Sequence, residues 1–171
     1  MLPRRKLKKL CLFDVDGCLL SNKARARFLD NGDWESFHNA WERDTPIEQG
    51  VTICQFFLSQ PSVFDVLFIT SRAEKTRLTT LHQLRQHVSL KIKDDQLIMR
   101  PNHIKGWATD DPHDIHMPDE EFKPWALQHI AGRDLREVFL VYEDYMPLVE
   151  RWRELGICCI QPDMREKDTH G

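Results

Sequence analysis

The sequence lacks the features that mark several common classes of protein. It contains no internal repeat, no low-complexity segment and no CxxC pair among its five cysteines. An odd number of cysteines without a secretion signal favours reduced thiols, so we expect a cytoplasmic protein. Basic side chains interrupt the leucines of residues 2–10, which makes this segment too short and too charged for a signal peptide or a membrane span. We therefore expect no interaction with a membrane.

The chain also lacks a strong excess of either charge. Its 24 Lys and Arg residues stand against 27 Asp and Glu, which gives a net charge of -3. A protein that coats DNA carries a basic excess, so any contact with a nucleic acid must be local. The basic residues near the start form either a solvated tail or an electrostatic contact for an anionic substrate. A length of 171 residues predicts one domain with room for a small insertion.

Five short apolar segments predict the strands of a central sheet, and helical patterns lie between them. The predicted strands are residues 10–15, 63–69, 96–100, 138–142 and 157–160. The predicted helices are 46–59, a segment with Leu78, Leu81, Leu84 and Val88 on its buried face, 118–130, and 147–156. Strands that alternate with helices predict a parallel sheet with helices on both faces, a three-layer α/β/α fold.

The segment between the first two strands is more polar and less regular than the rest. Asp33 can cap a short helix on which Trp34 and Trp41 share one face. Thr45 begins a capping-box pattern that ends at Glu48, with proline at the first helical position. This pattern predicts the start of the helix 46–59.

Polar side chains collect where three of the predicted strands end. In parallel sheets, the carboxyl ends of the strands meet at one edge, and ligands bind in the crevice outside that edge. The polar residues therefore predict one functional site there. They are Asp14 and Asp16, Thr70 and Arg72, and Glu143 and Asp144.

The segment from Asp14 to Gly17 contains the groups needed to hydrolyse a phosphate monoester. A phosphate dianion repels an attacking carboxylate, so the reaction needs a divalent cation such as Mg²⁺. We expect Asp14 to give one oxygen to the metal and the other to the phosphorus, which produces an aspartyl-phosphate. Asp16 can protonate the leaving oxygen and later deprotonate the hydrolytic water. Gly17 lets the backbone turn close to the phosphate.

These motifs resemble those of the haloacid dehalogenase superfamily of phosphatases. A strand that ends in Asp-x-Asp-Gly resembles the first motif, and Thr70 resembles the second-motif hydroxyl that holds a phosphate oxygen. Lys123 is the best match to the third-motif lysine, and Lys105 is the alternative. Glu143 and Asp144 resemble the acidic pair of the fourth motif. The resemblance implies a Mg²⁺ site formed by Asp14, Asp16, Asp144 and Glu143, the last of these directly or through water.

A closer resemblance covers nearly the whole chain. Together with the four motifs, residues 97–100, 149–153 and 156–161 are similar to the phosphatase domain of phage polynucleotide kinases, which acts on 3'-phosphate ends, and to small phage proteins related to it. In that group the residue equivalent to Arg72 also contacts the phosphate, because a guanidinium can grip two oxygens at once. The resemblance implies a Rossmann-like domain with a small helical cap at residues 19–61, and a bacteriophage source. The sequence has no GxxxxGK[ST] segment, so we expect no kinase half.

The sequence departs from the family pattern at three positions. Cys18 replaces the usual Thr after the first-motif glycine, and Glu143 replaces a more usual Asp. Pro124 directly follows the third-motif lysine, where it either kinks a helix or occupies its first turn. We expect the longer Glu143 side chain to change water-mediated contacts at the metal rather than to abolish binding.

Residues 102–118 are rich in Asp, His, Pro and Gly, which predicts a long loop near the site. Ser71, Arg100 and His103 are candidates for contacts with the substrate. His113 and His116 lie among acidic residues, but their spacing is not that of a structural zinc site. An exposed or substrate-facing loop is therefore favoured over a second metal site.

The leading prediction is a Mg²⁺-dependent phosphatase that acts on a phosphorylated nucleotide or nucleic-acid end, with a 3'-phosphate as the closest match. The alternative is a 5'-nucleotidase for free mononucleotides, in which Trp34 and Trp41 stack the base. A non-catalytic binding domain with this fold is disfavoured because both first-motif carboxylates are present. The oligomeric state does not follow from the sequence.

Overall fold

The computed structural model describes residues 8–101 and 117–162, apart from the side chains of Trp34 and His38. Its centre is a five-stranded sheet in the order β5-β4-β1-β6-β7, and every neighbouring pair of strands is parallel. A two-stranded antiparallel ladder, β2 with β3, lies apart from this sheet. The strands are β1 (Lys9–Phe13), β2 (Leu20–Ser21), β3 (Thr45–Pro46), β4 (Phe64–Ala73), β5 (Leu97–Arg100), β6 (Val138–Tyr142) and β7 (Cys159–Ile160).

Helices cover both faces of the sheet, so the predicted three-layer α/β/α fold is confirmed. One face packs on α3 and α4, and the other packs on α5 and α6. Short 3-10 turns supply several of the connections. The helices are α1 (Lys23–Ala26), α2 (Trp34–Asn39), α3 (Glu48–Leu58), α4 (Arg77–His87), α5 (Asp119–His129) and α6 (Met146–Glu154).

The side chains of β1 show why this strand occupies the middle of the sheet. Successive residues of a strand point to opposite faces. Cys11 and Phe13 belong to the apolar cluster under α3 and α4, whereas Leu10 and Leu12 belong to the cluster under α5 and α6. All four are fully buried, which is typical of a strand covered on both faces.

The structure corrects the predicted start of the third helix. Thr45 and Pro46 form β3, which pairs with β2, and the helix begins only at Glu48. Ile47 occupies the N-cap position without a side-chain cap, so the predicted capping box does not form. Pairing with β2 holds Thr45 in extended backbone, and this pairing replaces the local cap. By contrast, the predicted cap at Asp33 is confirmed, because its carboxylate accepts a hydrogen bond from the Ser36 backbone N–H at 3.0 Å.

The buried face of α4 also differs from the prediction. Leu78 is 83% exposed, whereas Thr80 and Gln83 are buried together with Leu81 and Leu84. Both polar side chains accept hydrogen bonds from the guanidinium of Arg72, which explains why this face of the helix is turned inward. Hydrophobic periodicity alone does not reveal that role.

Three strands also differ from the prediction in their bounds, and the first of them, β1, ends at Phe13 rather than at residue 15. β4 continues to Ala73, so Thr70 and Arg72 lie within the strand rather than beyond its end. β7 has only two residues where four were predicted. Pro124 lies inside α5, which runs on to His129.

The division into one domain with a cap at residues 19–61 stays a prediction, although α3 packs into the main core. In the ranges described, no helix is long and apolar enough to cross a membrane.

Gly50 lets α3 lie directly on the loop that follows β1. A Cβ atom at this position would lie 1.9 Å from the carbonyl oxygen of Cys18, which is backbone and cannot rotate away. We expect Gly50→Ala to lower the free energy of unfolding by about 1–3 kcal/mol and to displace the loop that carries the first motif. Urea unfolding measures the first effect, and the rate of the phosphate-ester hydrolysis expected from the sequence measures the second. Gln49→Ala, at an exposed position of the same helix, is the control; equal stability of the two variants would contradict this packing.

Candidate active site

A tight turn after β1 places two carboxylates at the carboxyl edge of the sheet. The Asp14 N–H donates to the carbonyl of Tyr142 at 3.0 Å, which extends the pairing of β1 with β6 by one residue. Gly17 then adopts a positive φ of 75°, and its N–H donates to the carbonyl of Leu20 at 2.8 Å. Residues with a side chain rarely adopt this backbone conformation, so glycine is required at the turn. The turn leaves Asp14 and Asp16 lining one cavity of about 700 Å³.

Lys123 of α5 lies between two carboxylates inside this site. Its Nζ donates to Asp14 Oδ1 at 2.6 Å and to Glu143 Oε2 at 2.7 Å. The lysine is only 3% exposed, and both carboxylates are buried as well. Burial alone would lower the pKa of Lys123, but the charges of Asp14 and Glu143 outweigh it and raise the pKa, which keeps the ammonium charged. The structure thus brings the predicted third-motif lysine into contact with the predicted nucleophile.

Asp14 is held in an environment that disfavours its charge. Burial raises its pKa well above the usual range, and the negative charge of Glu143 raises it further, while Lys123 partly opposes both. Burial is also the main reason why the pKa of Glu143 is raised. Buried carboxylates gathered in this way need positive charge from a ligand or an ion.

Three side chains form a group that could hold a metal ion. One ligand atom from each of Asp14, Cys18 and Asp144 lies within 4.8 Å of the others. Two carboxylates suit a hard divalent cation, and the excess of buried negative charge around them favours one. The Cys18 thiol donates to the carbonyl of Tyr142 at 3.7 Å and contacts Asp144 Oδ1 at 3.9 Å. Burial and the carboxylates raise the pKa of this thiol, so it stays protonated and is a poor ligand beside them.

Two predicted metal ligands lie outside that group. One oxygen of Glu143 accepts a hydrogen bond from Lys123, and the other accepts one from the Tyr145 backbone N–H at 3.3 Å. The Asp16 carboxylate faces two arginines instead. A direct role for either side chain at the metal stays a prediction.

Arg72 grips the Asp16 carboxylate with two parallel hydrogen bonds. Its Nε donates to Asp16 Oδ2 at 2.8 Å, and its Nη2 donates to Oδ1 at 2.7 Å. From α4, Gln83 accepts a bond from Nη1 at 2.7 Å. The guanidinium is therefore fixed on several sides, and it lines the same cavity as Asp14. Contact of Arg72 with a phosphate stays a prediction.

Two residues that sequence analysis missed complete this cluster. Arg25 donates to Asp16 Oδ1 at 3.0 Å and to Asp44 Oδ1 at 2.6 Å. The other oxygen of Asp44 accepts a bond from Arg72 at 2.6 Å. Two acids and two arginines thus form a closed ring of ion pairs, which we call the arginine ring (Asp16, Arg25, Asp44, Arg72). Both guanidinium groups stack on Trp41, at 3.7 and 4.3 Å from the centre of its indole ring.

The two arginines of the arginine ring set the charge of Asp16. Burial alone would raise the pKa of Asp16, but the charges and hydrogen bonds of Arg72, together with the charge of Arg25, lower it below the usual range. Asp16 and Asp14 are therefore shifted in opposite directions, although they are two residues apart. Asp16 is therefore held as a carboxylate, the form in which it can take a proton from water.

The remaining predicted contacts lie around the same cavity. Thr70 is buried, and its hydroxyl accepts a bond from the Arg72 N–H at 3.2 Å. The Ser71 hydroxyl is buried and has no hydrogen-bond partner among the described residues. Arg100 lines the cavity, but its guanidinium donates to the Met117 carbonyl at 2.8 Å and bonds Asp119. Substrate contact by Ser71 and Arg100 stays a prediction. Further candidates lie outside the described residues: His103, Lys105, His113 and His116.

A larger hollow of about 1120 Å³ lies near the other end of the strands. Phe64, Lys93 and Arg133 are among its lining residues. It contains none of the predicted site residues, so the chemistry belongs to the smaller cavity.

Comparisons with known proteins bear on the family and on the fold. The sequence model of the polynucleotide kinase PNKP phosphatase domain matches residues 8–166. Comparison of the sequence with curated proteins gave no match. Solved structures that share the fold include the following two. A "Pnkp1/Rnl/Hen1 complex" has a TM-score of 0.61 and 20% identity over 91% of this chain and 46% of its own. A "Pnkp1/Rnl/Hen1 RNA repair complex" has a TM-score of 0.63 and 22% identity over 91% and 42%. The chain therefore spans less than half of the length of either structural relative.

Proposed function

Because the chain belongs to the family of polynucleotide kinase PNKP phosphatase domains, and is thus a phosphatase of the haloacid dehalogenase type, we propose that it removes the phosphate from the 3' end of a nucleic-acid strand. The reaction proceeds through an aspartyl-phosphate on Asp14. One observation carries the mechanism: the Lys123 ammonium bonds Asp14, whereas Asp16 bonds Arg25 and Arg72 instead. The two acids are thus equipped for different tasks within one cavity.

The first half-reaction transfers the phosphoryl group to Asp14. A carboxylate oxygen attacks phosphorus, the bond from phosphorus to the ester oxygen breaks, and Asp16 gives a proton to that oxygen as the alcohol leaves. Lys123 balances the charge on the Asp14 side of the reaction. Thr70 and Arg72 line the cavity and can hold the phosphoryl oxygens. A phosphate bound beside Arg72 would share the charge of its guanidinium, which would weaken the strongest opposition to a protonated Asp16.

The second half-reaction returns Asp14 to its starting state. Asp16, now a carboxylate, takes a proton from water as the water oxygen attacks the phosphorus of the aspartyl-phosphate. The bond between phosphorus and the Asp14 oxygen breaks, and inorganic phosphate leaves. Arg25 keeps Asp16 in place through both halves, since its own position is fixed by Asp44 and by the ring of Trp41.

Mg²⁺ is the cofactor that these residues would bind. Asp14 and Asp144 would hold it, and when bound it neutralises the charge that the phosphate dianion and the Asp14 carboxylate share. The attack of Asp14 on the phosphate therefore needs both the cation and Lys123 to neutralise negative charge. Loss of activity in EDTA, restored by Mg²⁺, is the expected result.

Mg²⁺ binding should weaken as the pH falls and should release protons. Burial and the charge of Glu143 raise the pKa of Asp14, so the metal-free site takes up a proton more readily than an exposed aspartate. The cation must displace this proton, and each displaced proton raises the dissociation constant by up to about tenfold per unit of pH. Titration calorimetry in buffers of different ionisation enthalpy counts the protons. Equal affinity across the acid range, with no proton release, would show that Asp14 does not bind the cation.

The structure does not favour the alternative of a 5'-nucleotidase. That function needs Trp41 as a surface on which a base can stack, but two guanidinium groups already lie over its ring and the residue is buried. The Trp34 side chain lies outside the described residues. A cytoplasmic location and a phage source also stay predictions.

A panel of substrates tests the proposal. Oligonucleotides with a 3'-phosphate, oligonucleotides with a 5'-phosphate, and free nucleoside monophosphates are assayed for phosphate release with Mg²⁺. RNA ends belong in the panel because the structural relatives include an RNA repair complex. We expect the 3'-phosphorylated ends to give the highest kcat/KM. Efficient hydrolysis of free 5'-mononucleotides, with none of the 3'-phosphorylated ends, would instead support the nucleotidase.

A further inference from the structure

Asn22 is a buried polar residue that the mechanism above does not use. It is 3% exposed, and its Oδ1 atom is shielded from solvent without a hydrogen-bond partner among the described residues. It occupies the N-cap position of α1, yet its side chain makes no cap bond there. A buried carbonyl oxygen without a partner is unfavourable, so a ligand that brings a donor next to Asn22 would stabilise it.

Asn22 lines the same cavity as Asp14 and Asp16. Its backbone carbonyl accepts a bond from the Arg25 N–H at 3.0 Å, and the side chain of Arg25 bonds Asp16. On the other side, Asn22 follows β2, whose first residue, Leu20, forms a bridge with Asp16. Two backbone connections thus fix Asn22 on the Asp16 side of the cavity.

That side of the cavity receives the leaving alcohol. The attacking oxygen and the leaving oxygen lie roughly in line through phosphorus, and Asp16 must reach the leaving oxygen to protonate it. A residue fixed beside Asp16 therefore faces the sugar of the substrate rather than the oxygens of the transferred phosphoryl group. Those oxygens are acceptors, so they need donors rather than a carbonyl oxygen.

A carboxamide oxygen accepts hydrogen bonds, so it selects a donor on the sugar. When a 3'-phosphate ends an RNA strand, the hydroxyl at the neighbouring 2' position is the donor nearest to the scissile bond. The 2'-hydroxyl is also the group that distinguishes RNA from DNA. We propose that Asn22 binds the ribose hydroxyl next to the scissile phosphate and gives the enzyme a preference for RNA 3' ends. This inference rests on the 3'-phosphatase function proposed above.

The test compares 3'-phosphorylated oligonucleotides that differ only in the terminal sugar: ribose, 2'-deoxyribose and 2'-O-methylribose. We expect kcat/KM to be about tenfold higher for ribose than for either of the others, because neither can donate to the oxygen. Asn22→Leu, of similar size, should bring this ratio close to one. Asn22→Asp, which keeps an acceptor, should preserve a preference for ribose. Asn39→Leu, the same change at an exposed position of α2, should leave the ratio as it is.

Three results would overturn the inference. The first is an equal kcat/KM of the unaltered enzyme for all three sugars, a measurement that is informative even if Asn22→Leu fails to fold. The second is an equal loss of kcat/KM for all three ends in Asn22→Leu, which would mean a structural role or a contact with the phosphoryl group. If p-nitrophenyl phosphate is hydrolysed but no 3'-phosphorylated end is, the proposed function fails together with this inference.

Discussion

Asp14→Asn should reduce turnover to background, a fall of about four to six orders of magnitude, because a neutral amide cannot attack phosphorus to form the aspartyl-phosphate. The fold should survive. Burial and the charge of Glu143 raise the pKa of Asp14, so the metal-free site already favours an uncharged side chain of this shape. We expect the melting temperature in EDTA to equal or exceed that of the unaltered protein. Phosphate release and thermal unfolding measure the two effects.

Asp65→Asn makes the same chemical change far from this cavity. Asp65 lies near the start of β4, where its carboxylate accepts a bond from Arg133 at 2.6 Å. The activity of the Asp65→Asn variant should remain close to that of the unaltered enzyme. Substantial activity of Asp14→Asn, after deamidation of the new asparagine has been excluded by mass spectrometry, would mean that another residue is the nucleophile.

Asp16→Asn should cause a loss that depends on the leaving group. Protonation of the leaving alkoxide is worth roughly two to four orders of magnitude for a nucleotide ester, because the alkoxide is a strong base. The p-nitrophenolate ion leaves with little help from a proton, so p-nitrophenyl phosphate should suffer much less. Hydrolysis of the aspartyl-phosphate still needs Asp16 as a base. The comparison therefore uses the rate at which the alcohol is released in the first turnover.

Asp44→Asn separates the acid–base role from the support of the arginines. Asp44 contacts Arg25 and Arg72 as Asp16 does, but it is not among the residues that line the cavity. Its loss should slow both substrates by a similar factor. If Asp16→Asn behaves in the same way, with equal losses for both substrates, then Asp16 is a structural residue and its assignment as the general acid is wrong.

The sequence predicts the sheet well because the residues of each strand themselves form a pattern that indicates a strand. Short apolar segments such as 138–142 are bounded by polar residues, and the alternation with helices fixes the parallel arrangement. The carboxyl ends of the strands then bring Asp14 and Asp144 together, although they are far apart in the chain. Family motifs add Lys123, whose burial no local pattern reveals.

The arginine ring could not be predicted from the same kind of pattern. Arg25 lies in the segment Lys23-Ala24-Arg25-Ala26-Arg27, where nothing distinguishes it from Arg27, yet it is buried and Arg27 is exposed. Its partner Asp44 precedes a capping-box pattern and looks like an ordinary turn residue. Contacts between distant polar residues depend on tertiary packing, which hydrophobic periodicity does not record. The same contacts explain why the buried face of α4 includes Gln83 and excludes Leu78.

The most direct test of this account is to trap the covalent intermediate on a nucleic-acid substrate. An oligonucleotide with a radiolabelled 3'-phosphate is mixed with excess Asp16→Asn protein and Mg²⁺, quenched in acid during the first turnover, and the protein is digested. Without Asp16 as a base, the aspartyl-phosphate should persist. The account predicts that the label is found on the peptide containing Asp14, in step with release of the alcohol. Release of the alcohol with the label only in free phosphate, or on a peptide without Asp14, would contradict it.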